Sequence, residues 1–335
     1  MEQVRVGLVG AGGISRAHLR GYAAIPDQVR VVAVADVDAG AAAQRAEQAG
    51  GALPYGDLPA LLAGTEVDAV DICLPHHLHA DAIVTAARAG KHVLCEKPLC
   101  LTTEEADRVA AAVTASGVTL MCAHNQLFLP PVAAARQVLD EGRLGTIYEL
   151  RVTDSFYNDF DPANMGWRAN RGTSGGGELI DTGYHPTYLL LYLAGSQAGA
   201  VPAEVTAMLS RHRLTFSDGE DSAQVLVRFT GGVLGGIVTS WAYEPAGCTE
   251  RFSVVGEQGS LWSDGTSLFV RPRGGEVERT DFEAVDTFGA EIADFVACVR
   301  GERRPINSVA EGTRVLRVIL AAYASSEQKR TVPVG

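Results

Sequence analysis

Paired cysteines, a basic surface, a long apolar run and an internal repeat are all missing from this sequence, and each absence removes a class of protein. Six cysteines are present, but none shows the paired spacing of a zinc site. Cys73, Cys95 and Cys122 each close an apolar run, where a thiol acts as a small buried hydrophobe. Reduced thiols in a cytoplasmic setting are therefore expected. The 28 Lys and Arg against 40 Asp and Glu leave a formal net charge of -12. That balance argues against nucleic acid or an anionic membrane as the main partner, though it permits a local site for a nucleotide. The longest apolar stretches, Tyr188–Ala194 and Val318–Ala324, fall short of a bilayer-spanning segment. Met1-Glu2-Gln3 lead straight into an apolar strand without a basic leader or cleavage site, which again fits a cytoplasmic chain.

What is present is enough chain, 335 residues, for two domains. Up to about residue 124, short β-branched runs alternate with Ala-rich helical segments, the rhythm of a parallel α/β sheet. The strands expected are Val4–Val9, Val29–Ala35, Ala69–Leu74, His92–Cys95 and Thr119–Cys122. After Asn125 the pattern changes to alternating runs separated by turns, among them Glu204–Leu209, Ser222–Arg228 and Val233–Trp241, the pattern of an antiparallel sheet with one covered face. Two closing helices are expected near Thr287–Arg300 and Val309–Ser325. The expectation is a nucleotide-binding domain over residues 1–124 and a second α/β domain over 125–335, with the closing helices able to return to the first.

The first strand runs into Gly10-Ala11-Gly12-Gly13-Ile14-Ser15. Gly10 permits a tight turn, Gly12 permits close approach to a pyrophosphate, and the N–H groups from Gly13 and Ile14 onward can hold its charge. A plain strand-to-helix turn is the alternative. Asp36 ends the second strand, where a carboxylate accepts hydrogen bonds from both ribose hydroxyls and repels a 2′-phosphate. The first basic residue after it is Arg45. These residues point to NAD, with NADP the less favoured cofactor.

Two clusters carry candidate chemistry. Glu96-Lys97-Pro98 follows a parallel strand, where ligands bind, and a lysine there can stabilise charge developing on a substrate oxygen. A surface salt bridge between Glu96 and Lys97 is the alternative. Gly175-Gly176-Gly177 leads to Asp181, Tyr184, His185 and Pro186 ahead of an apolar helix. The helix N-terminus disfavours an imidazolium and a nearby carboxylate favours one, so His185 can be poised as a general base. The glycines permit close backbone approach to a ligand or to another chain segment; an ordinary capped helix with a buried histidine is the alternative. His76, His77 and His79 after Cys73 invite a metal reading, but no matched second ligand cluster accompanies them, and no metal is expected.

Taken in order, Gly10-Ala11-Gly12, Asp36, Pro75 with His79, Glu96-Lys97-Pro98, and the glycine triplet with Asp181, Gly183 and His185 resemble the glucose-fructose oxidoreductase/inositol dehydrogenase/MocA family over nearly the whole chain. The resemblance implies an N-terminal Rossmann domain and a C-terminal α/β domain with a large open, mainly antiparallel sheet that forms a homodimer or homotetramer interface. It implies that Pro75, His76, His79, Glu96 and Lys97 line the cofactor, and that Lys97, Asp181 and His185 are the catalytic residues at the reacting hydroxyl, with His185 as acid/base. It also implies Asn125, Trp167, Arg168 and Tyr184 as substrate contacts, with Trp167 facing a sugar ring and Arg168 binding a hydroxyl or carboxylate or bracing its loop. The activity implied is NAD-dependent hydride transfer on a secondary hydroxyl or ketone of a polyol, sugar or cyclitol. A redox-neutral NAD-dependent glycoside hydrolase and a non-catalytic nucleotide sensor are the alternatives. Two departures bear on the substrate: Thr187 stands where many sugar-oxidising relatives carry Asp, and Ala123-His124-Asn125-Gln126 replaces a segment that often has Arg after Asn.

Overall fold

The computed structural model describes residues 3–196, 200–244 and 250–335. The chain forms two compact units, residues 1–125 with 286–313, and residues 126–285 with 314–335. Cys248 lies outside the described residues; the other five cysteines are buried. Among the described residues no helix is long and apolar enough to cross a membrane.

The first unit alternates β1 (Val4–Val9), α1 (Ser15–Ala24), β2 (Val29–Ala35), α2 (Ala39–Gln48), β3 (Leu53–Tyr55), α3 (Leu58–Gly64), β4 (Ala69–Ile72), α4 (His79–Arg88), β5 (His92–Glu96), α5 (Thr103–Ser116) and β6 (Leu120–Ala123). The strands pair in parallel in the order β3-β2-β1-β4-β5-β6. Connections leave β1 in opposite directions on its two sides, so the loops at the carboxyl ends of β1 and β4 diverge and open a crevice. Helices cover both faces, which is why β4 and β6 are buried at every position and read as apolar runs, interrupted by Asp71 in β4. Helix ends are set locally: the Asp38 carboxylate accepts from the amides of Gly40 and Ala41 at the start of α2, and Thr102 with Glu105 forms a capping box on α5. The sequence reading did not foresee β3 and α3. β3 is three residues long, contains Pro54 and is mostly exposed, so it has no periodicity to detect; its register comes from Ala33–Ala35 on β2.

The second unit contains α6 (Pro130–Asp140), β7 (Ile147–Ser155), α7 (Arg171–Ser174), α8 (Tyr184–Ala194), β8 (Pro202–Ser210), β9 (Ser222–Phe229), β10 (Leu234–Ser240), β11 (Phe252–Gly256), β12 (Gly259–Ser263), β13 (Ser267–Pro272) and β14 (Glu278–Asp281). The chain then supplies α9 (Thr287–Val299), α10 (Val309–Gln328) and β15 (Val332–Pro333). The sheet order is β14-β13-β12-β11-β7-β10-β9-β8-β15. Its pairs are antiparallel except β7 with β10. On β9, Ala223, Val225, Val227 and Phe229 point inward while Gln224, Leu226 and Arg228 point out. The inner face packs under α8: a Cβ on Gly235 of β10 would press on Leu190 Cδ2 at 2.8 Å. The outer face leaves Met208, Leu226, Leu234 and Val255 exposed. β14 was not expected, because its four residues are all exposed and mostly charged; pairing with β13 alone defines it.

A single cut after residue 124 does not describe this chain, since residues 286–313 belong to the first unit. The reason is packing of α9 on α1. A Cβ on Gly21 would approach Ile292 Cδ1 to 2.5 Å, and the Phe288 ring lies 5.8 Å from that of His18. Asp286 caps α9 by accepting from the Phe288 amide. Ile292 is fully buried, so Ile292→Ala is expected to destabilise the first unit by about 2–5 kcal/mol. Urea unfolding checks this; an unchanged midpoint would show that α9 is not part of that core.

Candidate functional site

The nucleotide-binding residues of the first unit follow from the ends of its strands. Gly10 has φ 100°, and a Cβ there would lie 2.3 Å from the Cys73 carbonyl oxygen, so glycine is required where β1 passes beside β4. Beyond it, Gly12 and Gly13 are exposed, and a Cβ on either would meet only open space. Ser15 Oγ donates to the Gly12 carbonyl at 2.6 Å and closes the turn. No side chain caps α1 and no acidic residue lies in its first turn. An exposed glycine turn opening into an uncapped helix N-terminus, with Ile14 at its edge, fits the pyrophosphate of a dinucleotide.

Asp36 faces the same turn. Its Oδ2 accepts from the Ala11 amide at 2.7 Å and its Oδ1 from the Asp38 amide at 2.9 Å. Arg45 is turned to the loop as well: Nη2 donates to the carbonyls of Ala11 at 3.0 Å and Gly12 at 3.3 Å. The first basic side chain after Asp36 therefore braces the glycine turn from below.

The loops after β4 and β5 are tied together by His79. This histidine is fully buried, with Nδ1 2.7 Å from the Pro98 carbonyl and Nε2 2.8 Å from the Leu74 carbonyl. Burial holds its pKa below the usual imidazole value, although both carbonyls oppose that fall. His79 is thus a strut between the two loops. His76 is buried beside it with its ring 5.8 Å away, and Pro75 is half-buried at the start of this loop.

Glu96 is also a strut. One oxygen lies 3.1 Å from Nε2 of His18, and the other accepts from the Lys97 amide at 3.1 Å. Lys97 is half-buried and precedes a cis peptide bond to Pro98. Behind Glu96, fully buried His18 places Nδ1 2.8 Å from Asp71 Oδ2, which also accepts from the Tyr22 hydroxyl at 3.0 Å. His18, Asp71 and the neighbouring buried Glu291 were not singled out from the sequence. The available signal was Asp71 itself, a charged residue inside the apolar run Val70-Asp71-Ile72, which demands a partner.

Asn125 directs its amide to Thr287 Oγ1 at 3.2 Å, which ties the end of the first segment to α9. The adjacent His124 is buried, and burial with the Lys97 charge pushes its pKa down to about 3.

In the second unit the glycine triplet serves the chain's own packing. A Cβ on Gly177 would lie 1.9 Å from the Glu220 carbonyl oxygen, and one on Gly176 would lie 2.0 Å from the Tyr323 hydroxyl. The Glu220 carboxylate accepts from the Leu179 amide and the Tyr323 hydroxyl, both at 2.9 Å, and from the Gly177 amide at 3.2 Å. Glu178 is fully buried with its Oε1 on Thr239 Oγ1 and its Oε2 unpartnered; burial pushes its carboxyl well above the ordinary range, so it is a neutral acid.

This braced loop presents Asp181. Arg168 Nε donates to Asp181 Oδ2 at 2.6 Å, and the guanidinium stacks 4.3 Å over the Trp167 ring. Trp167, Arg168 and Asp181 form one chain of contacts, and Arg168 braces that chain. His185 lies in the first turn of α8, half-buried, with Nδ1 2.7 Å from the Tyr188 hydroxyl. The same hydroxyl accepts from the Gln126 amide at 3.1 Å. Tyr188 is thus the group that orients His185, and nothing in the sequence pattern marked it. Tyr184 is fully buried, with its ring 6.3 Å from that of Tyr188. Thr187, in place of the relatives' Asp, is buried and donates to the Gly183 carbonyl at 2.7 Å.

Comparison with known proteins places these residues in a family. The sequence model described as oxidoreductase family, NAD-binding Rossmann fold, matches residues 4–124. That of the GFO/IDH/MocA C-terminal domain matches residues 132–262. A levoglucosan dehydrogenase from Pseudarthrobacter phenanthrenivorans is 30% identical over 290 residues, covering 78% of this chain and 73% of that protein. A myo-inositol 2-dehydrogenase from Thermotoga maritima is 26% identical over 337 residues, covering 98% of each chain. The solved structure of a levoglucosan dehydrogenase in complex with NADH and levoglucosan matches with a TM-score of 0.88 at 26% identity, over 99% of this chain and 100% of that one.

The buried acids give a pH prediction. Burial holds the Glu291 carboxyl protonated well above its ordinary range, against the opposing charge of His18. The folded chain therefore keeps a proton that the unfolded chain releases, and stability falls as pH rises from the ordinary carboxyl range toward the folded pKa. Glu291→Gln removes that loss, so its gain in urea midpoint over wild type is expected to be larger at pH 8 than at pH 5. An equal gain at both would mean that Glu291 is ionised in the folded protein.

Proposed function

Because the chain belongs to the glucose-fructose oxidoreductase/inositol dehydrogenase/MocA family, we propose that it transfers hydride between NAD and a secondary carbinol or ketone carbon of a sugar, cyclitol or related polyol. The observation that carries this reading is the pairing, in one unit, of an open glycine turn with a lysine held at the carboxyl end of β5 by Glu96. The names of the relatives, dehydrogenases of levoglucosan and myo-inositol, support the substrate class.

In this reading the amides from Gly12 to Ile14 hold the pyrophosphate, and Asp36 accepts from the ribose hydroxyls with the second lone pair of each oxygen. Bound NAD supplies the hydride acceptor. His185 takes the hydroxyl proton at Nε2, which requires the tautomer whose Nδ1–H donates to Tyr188. In the first unit, the Lys97 ammonium can donate to a substrate oxygen and stabilise negative charge developing there. Asp181, anchored by Arg168, accepts from the reacting or a neighbouring hydroxyl. The exposed face of Trp167 packs on the sugar ring.

Lys97→Ala is expected to lower kcat by about 10²–10³-fold while NADH affinity stays within about threefold; lost NADH binding would contradict its assigned role. Asp36→Ala is expected to shift the ratio of kcat/KM for NAD over NADP by about tenfold or more, ~1.4 kcal/mol. An unchanged ratio would place the ribose elsewhere. The apolar outer face of the second unit, with Met208 and Leu226 exposed, supports a homodimer or homotetramer joined there. Leu226→Asp is expected to lower the mass measured by light scattering, and an unaltered oligomer would contradict that interface.

A further inference from the structure

The reaction proposed above leaves one set of buried ionisable groups without a task. His18 on α1 is fully buried, and its two ring nitrogens each face a carboxylate, Asp71 at 2.8 Å and Glu96 at 3.1 Å. A carboxylate only accepts, and imidazole has two N–H donors only when it is protonated. The geometry therefore calls for an imidazolium bridging two carboxylates. Burial opposes that charge, but Asp71 outweighs it and holds the His18 pKa well above the usual value.

The groups around the ring complete the arrangement. From β4, Asp71 also accepts from Tyr22 on α1 and, at 3.7 Å, from the Cys73 thiol. From α9, Glu291 stays a neutral acid and the Phe288 ring lies alongside His18. From β5, Glu96 is kept ionised, burial being outweighed by its bond to His18. His18 Nδ1 or Nε2, Asp71 and Cys73 lie close enough to suggest a metal site. The imidazolium already fills the cation's place, and burial pushes the Cys73 thiol up to about 12.

The consequence lies at the next residue. The Glu96 oxygen not facing His18 accepts the Lys97 amide at 3.1 Å. On the far side, the Pro98 carbonyl is held by His79 at 2.7 Å. The backbone on both sides of the Lys97 side chain is thus fixed by a buried histidine, directly through Pro98 and, through Glu96, by His18. We propose that His18 is a positioning residue for Lys97, acting through Glu96 to fix where the Lys97 ammonium meets the substrate oxygen. This inference rests on the reading of Lys97 given above.

The test uses the full-length enzyme, with kcat expressed per NADH-binding site. A glutamine amide cannot reach both carboxylates as the ring does, so His18→Gln is expected to lower kcat at least tenfold with the NADH Kd within threefold. In the Lys97→Ala background the same substitution is expected to cost less than twofold, because the group it positions is gone. Glu96→Ala is expected to match His18→Gln, and Glu96→Gln to lose turnover as well, because its single amide oxygen can accept from Lys97 or from His18 but not from both. A purely structural role would lower the melting temperature and leave kcat per site unchanged. Wild-type kcat for His18→Gln overturns the inference, as does an equal loss with and without Lys97. If His18→Gln fails to bind NADH, Glu96→Ala decides, and full turnover by that variant overturns the inference. A Lys97→Ala enzyme with wild-type turnover is a separate result: it refutes the reading of Lys97 itself and the inference with it.

Discussion

Asp71 stands in the middle of a strand whose every residue is buried, and the first unit is arranged around holding its charge. A carboxylate cannot remain ionised in such a place without a partner of opposite charge and further donors. His18, Tyr22 and Cys73 supply them, and each comes from an element whose position this requirement helps to fix: the first helix and the segment after β4. The same imidazole then sets Glu96, and Glu96 sets the backbone of Lys97. A packing requirement in the sheet is thereby connected to the residue proposed to do chemistry.

The second unit solves the corresponding problem differently. Glu220 has backbone amides and a tyrosine hydroxyl around it in place of a cation, and Glu178 gives up its charge altogether. Both acids lie beneath the loop that carries Asp181. Their effect is rigidity: the loop is bonded along its backbone, and three glycines let it pack without side chains in the way. Asp181 in turn holds Arg168, and Tyr188 holds His185. Asp181 and His185, proposed to meet the substrate, each have a protein partner that orients them before substrate arrives, which is what preorganised catalysis needs.

Much of this was legible in the sequence because it depends on local rules. β1 and β2 begin and end where the apolar runs do, and Gly10, Asp36 and Lys97 stand at strand ends because a parallel sheet puts its loops there. Asp38 caps α2 from the position directly before its Ala-rich run, a contact that needs no distant partner. What was not legible depends on distant partners. β3 and β14 are defined by the strands beside them and not by their own composition. The partners of His79, Glu96 and Asn125 were not legible, because their polar atoms find backbone or side-chain groups elsewhere in the first unit. Tyr184 and Tyr188 lie four residues apart on one helix, and only packing shows that the first fills the core while the second orients a histidine. The return of α9 to the first unit was foreseeable only as an option, since a small glycine face on α1 is no signal until Ile292 fills it.

The most direct test of the central claim, hydride transfer from a carbinol carbon to the nicotinamide, is to follow a label. A polyol or sugar that supports turnover, deuterated at the reacting carbon, would be incubated with NAD, and the recovered cofactor analysed by NMR. Deuterium at C4 of the nicotinamide, in step with ketone formation, is the predicted result. Deuterium retained in a hydrolysed sugar or released to water, with no labelled NADH accumulating, would contradict net dehydrogenation and would identify a redox-neutral reaction on the same fold.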